Sequence, residues 1–249
     1  MNDNNLIRVN KYLANLGVCS RRDVKTFLHN NVVTLNREHI LEQGVRFDPY
    51  KDVLQINGER IKPPKLVYYL LHKPKGVIST TADEFGRKNV TSLIPSNERI
   101  FPVGRLDKDT TGLLILTNDG ELTNMLIHPK YKVNKVYQIT IARKIHPTQL
   151  KALRNGVLLS DGITAPARVS IIKERPTISF LEMTIHEGRN RQIRRMCETV
   201  GIKLLELKRI RFGPLELEGL GVGKFRPLTQ HEVQQLKKIS SLTSKSQHT

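Results

Sequence analysis

Val103-Gly104-Arg105-Leu106-Asp107-Lys108-Asp109-Thr110-Thr111-Gly112-Leu113-Leu114-Ile115-Leu116 runs from a charged, glycine-bounded turn straight into unbroken apolar sequence. Short, continuous and apolar, residues 113–116 predict a strand buried on both faces. Thr117-Asn118-Asp119-Gly120 behind them is turn chemistry. The turn that carries Asp107 is therefore anchored on the core of a domain. A carboxylate held there costs free energy unless a cation and hydrogen bonds satisfy it. Taken alone, the turn is explained by a structural ion pair of Asp107 with Arg105 or Lys108, since most charge pairs are structural. The rest of the chain shifts that balance.

Working outward, residues 66–71 predict a strong strand. A basic Pro/Gly turn follows, His72-Lys73-Pro74-Lys75-Gly76-Val77, then a polar loop over 80–88 and a short helix at 91–94. Downstream, a helix over 121–127 is broken by His128-Pro129-Lys130-Tyr131. Residues 135–141 alternate with period two and read as a half-buried strand. A helix over 147–155 stops at Gly156. Further strands are expected at 157–159, 167–172, 180–185, 203–210 and 215–217. Between them a basic loop starting at Glu187 turns into a helix that ends near Gly201. Thr229 with Glu232 three residues on is a capping box opening a last helix. Many strands with few, scattered helices predict an α+β domain on a mixed, largely antiparallel sheet.

Residues 6–62 read as a separate small unit. Val9, Leu13, Leu16 and Val18 have helical spacing up to Gly17. Ser20 is placed to cap a second helix over 21–30. Arg8, Lys11, Arg21, Arg22 and Lys25 fall on these two helices, and short strands follow near 32–36 and 53–58. Lys62-Pro63-Pro64-Lys65 reads as a linker. A larger domain then covers 63–239, and the Ser/Thr/Lys/Gln-rich residues 240–249 are expected to form a disordered tail.

The chain has 249 residues and a formal net charge of +18. That length allows two domains with real cores. The charge calls for a polyanionic partner, nucleic acid or an anionic membrane. No apolar run is long enough to span a bilayer, and residues 1–5 lack the apolar core of a secretory signal. A cytoplasmic protein without a membrane is expected. Cys19 and Cys197 have no partner at ligand spacing, so neither zinc nor a disulfide framework is indicated. Walker-type, dinucleotide and metal-ligand motifs are absent from the sequence. Chemistry would come from side chains alone: a carboxylate as nucleophile, a tyrosine ring to stack on a flipped-out base, and an arginine to keep the carboxylate ionised and oriented.

Two resemblances make this concrete. Arg8-Val9-Asn10-Lys11-Tyr12-Leu13 followed by Gly17-Val18-Cys19-Ser20-Arg21-Arg22 resembles the RNA-binding module typified by ribosomal protein S-four. Residues 30–37 depart from it, because they lack both glycines of its later Gly-x-Val-x-Val-Asn-Gly run. Gly104-Arg105-Leu106-Asp107-Lys108-Asp109-Thr110-Thr111-Gly112-Leu113 is similar to the signature of RNA pseudouridine synthases of the RsuA/RluB/RluE/RluF branch. Lys135-Val136-Tyr137 and Gly188-Arg189-Asn190-Arg191-Gln192-Ile193-Arg194-Arg195-Met196 match later motifs of that branch, in order. The resemblance implies Asp107 as nucleophile, Tyr137 stacked on the target uracil and Arg194 paired with Asp107. It implies RNA contacts from Arg105, Arg8, Lys11, Arg21, Arg22, Lys73, Arg189 and Arg191, and neither metal nor cofactor.

The implied partner is ribosomal RNA, free or within an assembling subunit, with the protein acting as a monomer. Residues 117–122 and 128–131 look more like the large-subunit (23S) enzymes than the small-subunit (16S) one. Two other readings remain open from the residues themselves. One is a non-catalytic rRNA-binding assembly factor. The other is a metal-dependent nuclease using Asp107 and Asp109, which would want further carboxylates.

Overall fold

The helix expected from Val9, Leu13 and Leu16 forms over Val9–Leu16 and ends where Gly17 takes φ 83°. The computed structural model describes residues 6–81 and 86–245. The polar residues 1–5, part of the loop expected over 80–88 and the end of the expected tail lie outside them. The chain divides into two compact units, one reaching Val67 and including Ser96–Arg99, the other starting at Tyr68. Residues 61–67 have no regular structure and group with the first unit. The division thus falls after the Pro63-Pro64 linker, not before it.

In the first unit β1 (Ile7–Arg8), α1 (Val9–Leu16) and α2 (Val24–Asn30) precede β2 (Val33–Leu35), β3 (Glu38–His39), β4 (Arg46–Phe47), β5 (Leu54–Ile56) and β6 (Glu59–Arg60). Four strands pair in the order β3-β2-β5-β6, and β1 pairs with β4. Val9, Leu13, Val24, Leu28, Phe47 and Leu54 close the core. The second helix starts at Val24, not at residue 21. The Ser20 hydroxyl donates to the Asp23 carboxylate at 2.6 Å and closes a turn there. Arg21 and Arg22 are exposed in that turn, with Arg8 and Lys25 also exposed and Lys11 half-buried. Asn36 takes φ 51° without a glycine. Its amide bridges the Val53 N–H and the Asp52 carboxylate, the local bonding that lets asparagine adopt this conformation.

The second unit contains β7 (Tyr68–Lys73), β8 (Phe101–Pro102), β9 (Thr111–Thr117), α3 (Gly120–Ile127), β10 (Lys135–Ala142), α4 (Pro147–Asn155), β11 (Leu158–Leu159) and β12 (Gly162–Ile163). Then come β13 (Arg168–Glu174), β14 (Ile178–Ile185), α5 (Gln192–Thr199), β15 (Leu204–Phe212), β16 (Leu215–Glu216), β17 (Phe225–Pro227) and α6 (Gln230–Lys245). Seven strands run β13-β14-β10-β15-β9-β7-β17, with β8 on β9 and β16 on β15. Among the described strands of this sheet every pairing is antiparallel except β15 with β9. This is the mixed, largely antiparallel α+β sheet expected.

Leu113, Leu114, Ile115 and Leu116 on β9 are fully buried, and removing each side chain from water contributes about 2 kcal/mol. The parallel contact joins Lys208 to Thr111 and Arg209 to Gly112. It places the end of the charged turn against β15 at the centre of the sheet.

Two boundaries differ from expectation. β7 ends at Lys73, so that lysine belongs to a strand and not to the basic turn. The Thr229–Glu232 capping box forms, with Glu232 N donating to Thr229 Oγ1 at 3.2 Å and Thr229 N to Glu232 Oε2 at 2.8 Å. The helix it opens continues to Lys245, past residue 240, where a disordered tail was expected to begin. Ahead of that point the helix is anchored on the core: Leu236 is buried and Ile239 packs beside it.

Candidate active site

The turn from Val103 to Gly112 is held along its backbone. Ser79 Oγ donates to the Leu106 carbonyl at 2.8 Å and accepts the Leu106 N–H at 3.1 Å. Gly76 N donates to the Lys108 carbonyl at 2.8 Å, and Thr110 N to the Asp107 carbonyl at 3.1 Å. Lys73 lies underneath, 0% exposed. Its Nζ donates to the carbonyls of Pro74, Lys108 and Thr110 at 3.1, 3.3 and 3.0 Å. Leu106 and Thr110 are buried, whereas Arg105, Lys108 and Asp109 are exposed. The side chain left half-buried between them is Asp107.

Arg194 reaches that carboxylate from the first turns of α5. Its Nε is 3.5 Å from Asp107 Oδ2, with the two side chains 18% and 27% exposed. Its Nη2 donates to Thr110 Oγ1 at 3.2 Å. The guanidinium thus binds both the acid and the turn that carries it, which fixes its direction. Ile193, Met196 and Cys197 are the buried apolar residues of α5. Burial pushes the Cys197 thiol up to about 12, so it is an inert core residue.

Asp107 opens on a cavity of about 430 Å³ that Tyr137, Lys135, Ile185, Arg209 and Phe212 also line. That volume suits one nucleoside. Tyr137 is 8% exposed, and it faces Arg209 across the β10–β15 ladder next to a register shift at Val136/Tyr137. Lys135 Nζ donates to the carbonyls of Val133, His186 and Glu187 at 3.2, 2.9 and 3.3 Å. It holds the loop ahead of α5 as Lys73 holds the Asp107 turn. Burial pulls both ammonium groups down to about 8, against the carboxylates of Asp107 and Asp109 for Lys73 and with help from Arg209 for Lys135.

The structure thus brings Asp107, Tyr137 and Arg105 to one cavity, with Arg194 paired to Asp107, while one expected RNA contact is corrected. Lys73 is not a phosphate contact, because burial and three carbonyl acceptors commit its ammonium to the turn. Arg189, half-buried at the rim of the cavity, also holds structure. Its Nη1 and Nη2 donate to the Gly162 and Ile163 carbonyls at 2.9 and 2.6 Å and to Glu187 Oε1 at 3.2 Å, locking the β11–β12 hairpin to the loop. Arg195 reinforces the lock with two bonds to Asp161, at 3.0 and 2.9 Å. Arg191, exposed at the start of α5, remains accessible.

Sequence reading missed Ser79, Lys135 as a brace, Arg209 and Phe212. For Arg209 a signal existed: it shares the inward parity of Leu207 on an alternating strand. Among the described residues no group of three or more His, Cys, Asp or Glu side chains could hold a metal ion. No described helix is long and apolar enough to cross a membrane.

The brace under the turn gives a pH-dependent expectation. In the folded protein Lys73 loses its charge near pH 8, whereas in an unfolded chain it keeps it to 10.5. Between those values the folded state binds fewer protons, so this group's contribution to stability rises with pH. Turnover goes the other way, because a neutral amine has one donor fewer for three carbonyls. Lys73→Met should slow single turnover about tenfold at pH 7 through a misplaced carboxylate, and should lose part of the alkaline fall above pH 8. A variant as fast as wild type at pH 7 would show that the ammonium does not hold the turn.

A braced carboxylate at a nucleoside-sized cavity with a buried aromatic and basic walls defines a base-modifying enzyme of nucleic acid. The family follows from comparison: residues 67–199 match the family described as RNA pseudouridylate synthase, and the chain belongs to it. The chain is 42% identical to ribosomal large subunit pseudouridine synthase B of Bacillus subtilis (strain 168) over 237 residues, covering 94% of this chain and 96% of that protein. Against the dual-specificity RNA pseudouridine synthase RluF of Escherichia coli (strain K12) the figures are 36% identity, 94% of this chain and 79% of that protein. A crystal structure of a pseudouridylate synthase superposes with a TM-score of 0.67 at 28% identity, over 92% of this chain and 99% of that one. The protein is therefore an isomerase of the pseudouridine synthase family.

Proposed function

We propose that this chain converts a specific uridine of ribosomal RNA, in the large-subunit 23S molecule, to pseudouridine. Asp107 is the nucleophile, Arg194 pairs with it and aims it, and Tyr137 stacks on the extruded uracil. The observation that carries this is the Asp107–Arg194 pair, 3.5 Å apart, with Asp107 and Tyr137 lining one cavity. The reaction breaks the N1–C1′ bond, turns the base and forms C5–C1′. The C5 proton leaves and N1 takes one up. Atoms and electrons balance within the nucleoside, so no cofactor, oxidant or reductant is called for.

Substrate choice rests on the relatives. The name of the Bacillus subtilis protein states a ribosomal large subunit substrate, and that of the Escherichia coli protein states dual specificity. The first unit acts as an S-four-like clamp on the RNA backbone, supported by the exposed Arg8, Arg21 and Arg22 beside Lys11. Arg105 and Arg191, exposed beside the cavity, hold the RNA as the base swings out. With such a substrate the protein works in the cytoplasm, as a monomer on free rRNA or an assembling subunit.

The test is tritium release from 23S and 16S transcripts labelled at uracil C5. Release from 23S RNA, with one modified position mapped by primer extension, is the expected result. Release from 16S alone would move the substrate to the small subunit. Binding without release from transcripts and from assembling subunits would make the chain an assembly factor.

A further inference from the structure

Among the described residues that line the cavity, Arg209 is a buried cation that takes no part in the ion pair or the braces. It lies on β15, 2% exposed. Its Nε donates to the Leu113 carbonyl at 2.8 Å, and its guanidinium carbon sits 5.0 Å from the centre of the Phe212 ring. Its Nη2 is buried and has no hydrogen-bond partner among the described residues. Lys135 close by satisfies its own donors with three carbonyls. A buried guanidinium N–H without an acceptor costs free energy, and an apolar side chain on a central strand would avoid that cost. Arg209 lines the same cavity as Asp107 and Tyr137, and it is the residue opposite Tyr137 across the ladder.

The acceptor follows from what reaches that depth. A phosphate belongs to the RNA backbone and stays at the surface, whereas an extruded base enters the cavity. The hydrogen-bond acceptors on a uracil ring are its two carbonyl oxygens. Both routes to pseudouridine charge them. If the nucleophile attacks C1′, the base leaves with the N1–C1′ electron pair, which spreads over O2 and O4. If it attacks C6, the displaced pair comes to rest on O4. In either case a fixed, desolvated donor stabilises charge that is absent from the ground state.

We propose that Arg209 is a catalytic residue whose Nη2 donates a hydrogen bond to a carbonyl oxygen of the target uracil and stabilises the negative charge that develops on the base. The proposal rests on the reading that uracil enters this cavity beside Asp107.

The test compares wild type with Arg209→Gln and Arg209→Lys under single turnover. The substrate is a short RNA fragment around the mapped uridine, carrying uridine, 2-thiouridine or 4-thiouridine at that position. Sulfur is a poor acceptor, so one thio substitution should slow wild type. Arg209→Gln should slow the uridine substrate about a hundredfold, the usual cost of losing one such donor, with RNA affinity within about twofold. The thio effect should then disappear in the variant, because the two changes remove the same bond. Arg209→Lys, which keeps a cation, should recover part of the rate.

An equal thio effect in wild type and Arg209→Gln would overturn the proposal, as would wild type indifferent to both thio substitutions. The wild-type arm stands even if a variant does not fold. Lost affinity with a flattened salt dependence and no thio coupling would make Arg209 a phosphate contact and also overturn it. Absence of any turnover of the uridine substrate by wild type would instead strike the functional reading beneath it.

Discussion

Asp107→Asn is expected to abolish pseudouridine formation while RNA binding stays at wild-type strength or rises slightly. Removing a nucleophile from a preorganised site costs turnover about ten-thousandfold or more. The neighbourhood should survive the change. The substituted amide would keep the size of the acid, and the turn is held by Ser79, Gly76 and Lys73 through its backbone. The ion pair with Arg194 is partly exposed, so its loss costs about 1 kcal/mol or less of stability. Affinity should not fall, because Asp107 is an anion facing a polyanion and its removal relieves repulsion. The measurement is tritium release beside filter-binding titration of the same RNA. Asp107→Ala guards against slow reversion of asparagine to aspartate. Binding that falls as far as turnover would show that Asp107 holds RNA and is not the nucleophile.

How much of this was legible in the sequence depended on the physics that fixed each part. The buried β9 strand, the helix at Pro147–Asn155 and the Thr229–Glu232 cap follow from local periodicity and capping. The gathering of Asp107, Tyr137 and Arg194 came from resemblance alone, since sequence order says nothing of distance. What stayed hidden was decided by tertiary partners. Lys73 reads as a surface cation in a Lys-Pro-Lys turn, and only the carbonyls of Lys108 and Thr110 above it make it internal. Arg189 stands in a run of basic residues that looks made for phosphate, yet its donors also hold the β11–β12 hairpin. Arg209 was visible by strand parity, yet its partner on the sheet, Gly112, lies in a motif that reads as chemistry and not as packing.

Gly112→Ala is expected to destabilise the protein by about 4 kcal/mol or more, beyond the range of ordinary point substitutions. Three constraints meet at this residue. Its φ of 110° suits glycine and strains any L side chain. A Cβ there would fall 2.6 Å from Arg209 N and closer still to the Arg209 carbonyl, so backbone would have to move. That backbone is the parallel β9–β15 contact, and Gly112 also pairs with Lys73 on β7.

Separating the strands would release the lysine that braces the Asp107 turn and the arginine that lines the cavity. Gly104→Ala is the control. Gly104 also has positive φ, at 71°, but an added Cβ would meet only Ile127 Cγ2, at 3.5 Å. Its cost should be that of the left-handed conformation alone, about 1–2 kcal/mol. Urea unfolding of both variants decides the cause. A large loss for Gly112 and a small one for Gly104 makes the close approach of β9 to β15 the reason this motif ends in glycine. Equal losses would leave backbone conformation as the whole explanation.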